Sequence, residues 1–221
     1  MTSSTVSIAD QVGAFNTAVA DQIPAEALTT FAAEQATLDA AGVPAGVAAP
    51  GAVLPDVELL DVHGAPMSLF AVTGGRPAVL VFYRGAWCPY CNIALKTYQD
   101  QLLPQLNEHG IALVAISPQK PDGSLSSQQK NALAFPVMSD PGNVLTDRLG
   151  ILTTPSAQAQ AAMAQLGLDL TAANADGTPT LPMPTVVIAD ADHTIRWIDV
   201  HPDYTNRTEV VDIINVLDAV Q

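Results

Sequence analysis

Two cysteines are the residues of this sequence best suited to chemistry, because Cys88 and Cys91 stand two residues apart in the segment WCPYC. The pair follows an apolar run at 78–83 and precedes a stretch of helical periodicity. Cys88 therefore falls at the start of a helix, where unpaired backbone N–H groups and the helix dipole favour a thiolate. Cys91 lies one helical turn further on, close enough to form a disulfide. The pattern predicts a redox pair in which an exposed Cys88 attacks and Cys91 resolves.

Two other interpretations of the pair stay open. A lone C-x-x-C is also half of a zinc site, although the spacing of the histidines provides no ligand pair. The histidines are His63, His109, His193 and His201. Both cysteines could instead be inert core residues, since free cysteine often behaves as a small hydrophobe. The position between strand and helix favours redox use, so we expect neither a metal nor a cofactor.

Arg84 is the cation nearest to the pair in sequence, just past the end of the apolar run. We expect its guanidinium to stabilise a thiolate or the leaving oxygen of a substrate. The alternative is a solvated arginine at the end of a strand. Trp87 and Tyr90 flank the cysteines, and we interpret them as aromatic packing beneath a loop.

Composition excludes several classes of function. Of 221 residues, 22 are Asp or Glu and 8 are Lys or Arg, giving a formal net charge of −14. This balance argues against nucleic acid, whose phosphates need basic patches, and the short apolar runs argue against a membrane span. Residues 1–10 lack the basic start and long apolar run of a secretory signal, so we expect a cytoplasmic location.

Strand and helix patterns alternate along most of the chain. Apolar runs and alternation predict strands at 57–59, 67–69, 78–83, 111–116, 135–138, 185–189 and 194–200. Helical periodicity predicts helices at 91–107, 126–133, 143–149 and 208–220, the first kinked near its end by Pro104. Such alternation implies an α/β fold whose mixed central sheet is parallel at its centre and carries helices on both faces.

The chain before this pattern has a different organisation. Apolar residues recur at helical spacing within 1–41, and the segment GVPAGVAAP at 42–50 has the composition of a linker. We therefore predict an N-terminal helical extension at 1–45 and one domain at 50–221, with an insertion at 152–182. The apolar stripe of the extension must be buried, either against this domain or in a homodimer.

The segment FYRGAWCPYC at 82–91 resembles the peroxiredoxin-like branch of the alkyl hydroperoxide reductase/thiol-specific antioxidant family. The resemblance continues through AISPQ at 115–119, FPVMSDPGN at 135–143 and DYT at 203–205, and covers about 50–221. It implies a thioredoxin-like fold and reduction of hydroperoxides by a thiol. In that resemblance Cys88 matches the peroxidatic cysteine.

Three positions depart from the family pattern. Typical members carry Thr or Ser three residues before the peroxidatic cysteine and Pro seven before it, where this chain has Gly85 and Val81. The family arginine that polarises the peroxide is replaced by Met183-Pro184. Met-Pro-Thr resembles the thioredoxin loop whose cis-proline faces the C-x-x-C pair, which implies a cis bond before Pro184.

The favoured hypothesis is a thiol peroxidase that reduces hydrogen peroxide or organic hydroperoxides. Cys88 and Cys91 would form an intramolecular disulfide, which a thioredoxin-like or other dithiol reduces. One alternative is a thioredoxin-like oxidoreductase acting on protein disulfides. Another is a non-enzymatic redox switch whose partner binding depends on the oxidation state of the pair.

Overall fold

A computed structural model describes residues 6–220, which are built around a seven-stranded mixed sheet. The strands of this sheet are β1 (Glu58–Leu60), β2 (Pro66–Ser68), β3 (Ala78–Phe82), β4 (Ala112–Ser117), β5 (Val137–Ser139), β8 (Thr185–Ala189) and β9 (Ile195–Val200). A separate two-stranded ribbon joins β6 (Leu152–Thr153) to β7 (Leu181–Pro182). Strand order in the main sheet is β2-β1-β5-β4-β3-β8-β9.

The centre of the sheet is parallel, as the sequence predicts. Strand β4 pairs in parallel with β3 on one side and with β5 on the other, whereas β8 joins β3 antiparallel. Every residue of β3 and β4 is buried, because both faces of the sheet are covered. Side chains alternate along β3: Val79 and Val81 enter one core cluster, Leu80 and Phe82 the other.

Helices cover both faces of the sheet. They are α1 (Ile8–Val19), α2 (Ala25–Ala41), α3 (Leu69–Thr73), α4 (Pro89–Thr97), α5 (Leu103–Glu108), α6 (Pro121–Lys130), α7 (Val144–Arg148), α8 (Ala157–Gln165), α9 (Leu170–Ala173) and α10 (Val210–Val220). One cluster joins residues of α1, α4, α5 and α10, and the other joins residues of α3 and α7. The predicted α/β layering is therefore confirmed.

The predicted helix at 91–107 is interrupted by a π-helical turn, Tyr98–Leu102, between α4 and α5. Pro104 lies in the first turn of α5, where its missing N–H costs little. The ring would clash with the carbonyl four residues earlier in a continuous α-helix, and the wider turn absorbs this conflict. The predicted helical range and an irregularity near Pro104 are therefore confirmed, but the irregular turn lies at 98–102, before the proline rather than in the last turn.

Two other elements differ from prediction. Helix α6 begins at Pro121 rather than at 126, because proline suits a first helical position. Leu69 starts α3 instead of extending β2, since the Ser68 hydroxyl accepts from Ala71 N–H and caps the helix. The segment at 152–182, predicted as an insertion, contains α8 and α9 and contributes the ribbon of β6 and β7.

The two N-terminal helices pack on different parts of the same chain. Helix α1 contacts α4, and its Ile8 and Val12 are buried in the core cluster that holds the cysteines. Helix α2 contacts α8, with Phe31 packed against Met163. The predicted helix at 1–41 includes residues 1–5, which lie outside the described residues. Across residues 6–220, no helix combines the length and apolar character needed to cross a membrane.

Candidate active site

Cys88 and Cys91 lie at the junction between β3 and α4, as the sequence predicts. Cys88 is the N-cap residue of α4 with Pro89 directly after it, and Cys91 occupies the first turn. Both are free thiols, with 1% and 0% of their surfaces exposed. The expectation of an exposed Cys88 is therefore wrong, because the apolar residues of α1, α4 and the π-helical turn close around the pair.

Arg207, which the sequence analysis did not identify, reaches both sulfur atoms. Its Nη2 lies 3.0 Å from Cys91 Sγ and 3.7 Å from Cys88 Sγ. Its Nη1 donates to the carbonyls of Tyr204 and Asn206, each at 2.6 Å. The guanidinium is therefore fixed by its own loop and presented to the pair as a hydrogen-bond donor.

The two thiols differ in how readily they lose a proton. Burial raises the pKa of Cys88 well above its usual range, and its hydrogen bond to Cys91 raises it further. Burial also acts to raise the pKa of Cys91, but the hydrogen bond from Cys88 and the charge of Arg207 outweigh it and bring that pKa well below its usual range. These effects favour the proton on Cys88 and the thiolate on Cys91, the reverse of the assignment expected from the helix N-terminus.

Arg84 is buried rather than solvated, with 5% of its surface exposed. Its Cζ lies 5.0 Å from the ring centroid of Trp87 and 4.4 Å from that of Tyr204, so cation–π contacts hold it between two aromatic rings. Its charge acts to lower the pKa of both cysteines. The interpretation of Arg84 as a solvated strand-end residue is wrong, and the prediction of a nearby cation agrees with its placement.

Gly85 and Trp87 explain one departure from the family pattern. A Cβ on residue 85 would lie 2.4 Å from Trp87 Nε1, so the indole occupies the space that a threonine side chain would need. Among residues 6–220, Trp87 Nε1 is one of the few buried polar atoms that have no hydrogen-bond partner. The loop before Cys88 therefore offers a buried N–H donor where a typical member offers a hydroxyl.

Gln119 holds this loop in place. Its Oε1 accepts from Ala86 N–H at 2.9 Å, and its Nε2 donates to the Tyr83 hydroxyl at 2.8 Å. The Tyr83 hydroxyl in turn bonds Ser127 Oγ at 3.2 Å. From the other side, Asn92 Nδ2 donates to Ala86 O at 2.9 Å. The ends of β3 and β4 are thus tied through α6 to the segment that presents Cys88.

Pro184 precedes β8, whose first residue Thr185 pairs with Phe82 of β3. The peptide bond before Pro184 is trans, as are all those of residues 6–220, so the implied cis bond is absent. The neighbouring peptide groups are paired with other segments: Met183 N–H donates to Ile151 O at 2.8 Å, and Pro184 O accepts from His201 N–H at 2.9 Å.

Pro184 and Arg84 line a narrow cleft between α2 and α8. The cleft has a volume of about 10 Å³, room for roughly one water molecule. Its lining comprises Phe31, Glu34, Leu38, Arg84, Thr153, Pro155, Met163, Pro182, Met183, Pro184, Pro202 and Tyr204. The lining includes Arg84 and Pro184 but neither cysteine. Pro184 therefore shares this cleft with Arg84 and not with the thiol pair.

The segment that carries Arg207 is anchored to the sheet and to the π-helical turn. Thr208 Oγ1 donates to Asp199 Oδ2 at 2.8 Å, and His201 Nε2 lies 2.9 Å from the same oxygen. The hydroxyl of Tyr98 donates to Thr208 O at 2.6 Å. Burial acts to raise the pKa of Asp199, but its bonds to His201 and Thr208 bring the net pKa below its usual value.

The residues of a metal site are not brought together. Within the part of the chain from 6 to 220, no group of three or more His, Cys, Asp or Glu side chains is arranged to hold an ion. His193 stacks on Phe70 instead, with ring centroids 3.4 Å apart. Buried thiols beside two cations, rather than a ligand cluster, define the geometry of the site.

Comparisons with known proteins agree with this geometry. Two proteins of Mycobacterium tuberculosis (strains CDC 1551 and H37Rv), each named "putative peroxiredoxin", are 34% identical over 92 residues, which is 42% of this chain and 57% of theirs. The match therefore spans little more than half the length of these curated relatives.

Solved structures share the fold. Peroxidoxin BcpB from Mycobacterium tuberculosis superposes with a TM-score of 0.58 at 19% identity, covering 78% of this chain and 97% of that one. A peroxiredoxin-like protein from Aquifex aeolicus gives 0.61 at 12% identity, covering 79% and 89%. These likenesses identify a thioredoxin-like fold. The model of the AhpC/TSA family matches residues 50–198, which include both cysteines and β3 to β8, and the chain therefore belongs to that family.

Proposed function

We propose that this chain is a thiol peroxidase that reduces hydrogen peroxide or small organic hydroperoxides through Cys88 and Cys91. The observation that carries the proposal is the buried thiol pair with Arg207 Nη2 at 3.0 Å and 3.7 Å from its two sulfur atoms. A guanidinium at that place stabilises a thiolate and also the negative charge that develops on a leaving oxygen. Family membership, with curated relatives named putative peroxiredoxins, supports the same reaction class.

The proposed reaction begins with one thiolate and one thiol. The Cys88 proton passes along the hydrogen bond to Cys91, and the Cys88 thiolate attacks the terminal oxygen of ROOH. The O–O bond breaks, the OH group stays on the Cys88 sulfur as sulfenic acid, and the RO⁻ group leaves as ROH after taking the proton that Cys91 received. The Cys91 thiolate then attacks the Cys88 sulfur, breaking its S–O bond and forming the disulfide, and the departing hydroxide takes a proton from solvent to become water. An external dithiol, thioredoxin-like or other, restores both thiols.

Each site residue has a proposed part in this scheme. Arg207 stabilises the thiolate and the leaving oxygen, and Arg84 adds a second positive charge from between its two aromatic rings. Pro184 shapes the wall of the cleft beside Arg84. The Trp87 indole N–H is a donor for a peroxide oxygen, because it is buried and unpaired among residues 6–220.

Burial favours a small substrate over a protein disulfide. Cys88 exposes 1% of its surface and Cys91 none, so a partner chain cannot bring its sulfur into line with either thiol unless the cover opens. A hydroperoxide needs only a narrow passage. Insulin reduction by the thiol pair is therefore expected to be slow beside peroxide reduction, although disulfide exchange with a reductant remains part of the cycle.

Single-cysteine variants assign the attacking atom. After one equivalent of hydrogen peroxide, mass spectrometry of Cys91→Ser is expected to show sulfenic acid at Cys88, whereas Cys88→Ser shows no rapid oxidation. A double variant, Cys88→Ser with Cys91→Ser, sets the background. Rapid oxidation of Cys88→Ser with an inert Cys91→Ser would transfer the attack to Cys91, the cysteine whose pKa is lowered. Rapid oxidation of neither variant would contradict the proposed peroxidase.

We also propose that residues 1–45 and 50–221 are distinct parts of the chain, the second being the catalytic domain. The family match begins at residue 50, after the two N-terminal helices. Localisation in the cytoplasm and assembly into a homodimer stay predictions.

A further inference from the structure

The segment 201–209, which carries Arg207, is held from both sides by the N-terminal helices. On the side of α1, the carboxylate of Glu209 accepts from the N–H groups of Ile8 at 2.9 Å and Ala9 at 2.8 Å. These N–H groups belong to the first helical turn and have no partner within the helix, so Glu209 caps α1 from 201 and 200 residues away in the chain.

On the side of α2, Gln35 Oε1 accepts from Tyr204 N–H at 3.2 Å. The carbonyl of the same Tyr204 accepts from Arg207 Nη1 at 2.6 Å. The peptide groups around Tyr204 therefore link α2 directly to the guanidinium. Tyr204 lies before Arg207 in the chain, and Glu209 follows it by two residues. The two helices therefore bind the chain just before and just after Arg207.

Both helices lie before residue 50, where the family match begins. The donor that faces the thiols is thus held by a part of the chain outside the matched segment. Arg207 is only partly buried. Among residues 6–220, its side chain donates only to two carbonyls of its own loop and to the two sulfur atoms. The direction in which the Arg207 guanidinium points therefore depends on the position of the loop backbone.

We propose that Glu209 and Gln35 are positioning residues, through which the N-terminal helices hold the Arg207 guanidinium against the cysteine pair and so complete the reactive site. The inference rests on the proposed function, since it takes the thiolate as the reactive species. The groups that act on the pair are the cations Arg84 and Arg207 and the phenols of Tyr83 and Tyr90. Glu209 makes its hydrogen bonds to α1, so its effect on the position of Arg207 is exerted through the loop.

The test is a pH titration of thiolate absorbance in the reduced full-length chain with Glu209→Gln. The expected midpoint lies at a higher pH than in the wild type, and alkylation by iodoacetamide at neutral pH slows about three- to tenfold, since a displaced donor stabilises the thiolate less. If Glu209→Gln only removed a negative charge and left Arg207 in place, the midpoint would instead move to a lower pH. An unchanged or lowered midpoint would therefore overturn the proposal.

Glu26→Gln is the matched control, because Glu26 is an exposed residue of α2 and makes the same charge change away from the segment. Gln35→Ala releases the loop from the other helix and must move the midpoint in the same direction, which keeps the test decisive if Glu209→Gln unfolds. In an Arg207→Gln background, Glu209→Gln should add no further shift, and an additive shift would refute action through Arg207.

Titration and alkylation need no peroxide, so the two proposals fail separately. A chain that shows the expected shift but consumes no hydroperoxide would contradict the peroxidase and leave the positioning intact. A peroxidase with an unshifted Glu209→Gln titration would contradict the positioning alone.

Discussion

The chemistry of the site depends on how one proton is divided between two sulfur atoms. Burial disfavours charge on both, while the hydrogen bond from Cys88 and the charge of Arg207, whose Nη2 lies closer to Cys91, lower the pKa of Cys91. Cys88, whose pKa is raised, stands at the N-cap of α4, nearest to the free backbone N–H groups. The two sulfur atoms are therefore distinguished by their surroundings, and the single-cysteine variants assign which of them attacks.

Arg207→Gln is expected to slow oxidation by hydrogen peroxide at neutral pH about tenfold or more, since a hydrogen bond to a charged group contributes about 1.5–3 kcal/mol. Thiolate forms as pH rises through the pKa, and removal of the cation raises that pKa. The loss is therefore largest at low pH and shrinks as pH rises above the new midpoint. Stopped-flow fluorescence across a pH series measures it.

Arg196→Gln is the control for this change, because Arg196 is an exposed arginine paired with Asp190 on the edge strand. A rate deficit of Arg207→Gln that stayed constant across pH would contradict the stabilisation of a thiolate and point to a role in binding alone.

The sequence was sufficient to find the cysteines but not their cation. The spacing of Cys88 and Cys91 after a buried strand predicts both their position and their proximity. Arg207 is 119 residues from Cys88, beyond the reach of any local pattern, and only the fold brings them together. The nearest signal was the segment DYT, which ends two residues before Arg207.

At the scale of elements, the site is assembled from the end of β3, the start of α4 and the loop between β9 and α10. The π-helical turn after α4 contributes Tyr98, which is fully buried and bonds the carbonyl of Thr208. This contact joins the helix of the cysteines to the loop of Arg207. Irregular turns of this kind often occur at functional sites.

Tyr98→Phe is expected to lower stability by about 1 kcal/mol, since the carbonyl of Thr208 loses its buried donor. For a chain of this size that corresponds to a fall in Tm of about 2–4 °C. Thermal denaturation followed by circular dichroism measures the change.

Tyr90→Phe is the matched variant, because the Tyr90 hydroxyl donates to Asn16 at 2.9 Å in an exposed contact, where water replaces the lost partner. Equal losses in the two variants would contradict the structural role assigned to the buried bond of Tyr98.

Element prediction succeeded where burial or periodicity was strong. The continuous apolar runs of β3 and β4 and the period of α10 are examples. It failed where a single local bond decided the outcome, as at the Ser68 cap that starts α3. The cis bond before Pro184 was implied by the Met-Pro-Thr resemblance, and those three residues alone do not determine the isomer, which is trans in the structure.

Across the whole molecule, the sheet together with helices α1 and α4 removes the thiol pair from solvent. The formal net charge of −14 leaves the outer surface acidic, while two arginines supply positive charge inside the site. Uncharged peroxides are indifferent to the outer charge. A protein reductant would instead need a neutral or basic docking face, and its approach would require the cover to open.

The most direct measurement is the rate at which hydrogen peroxide oxidises the reduced full-length chain, followed by Trp fluorescence in a stopped-flow instrument. Trp87 precedes Cys88 and reports its oxidation. The account predicts a rapid phase, proportional to peroxide concentration, far faster than a free small-molecule thiol and absent in Cys88→Ser. A rate no faster than that of the free thiol would contradict the assignment of this site as a peroxidase.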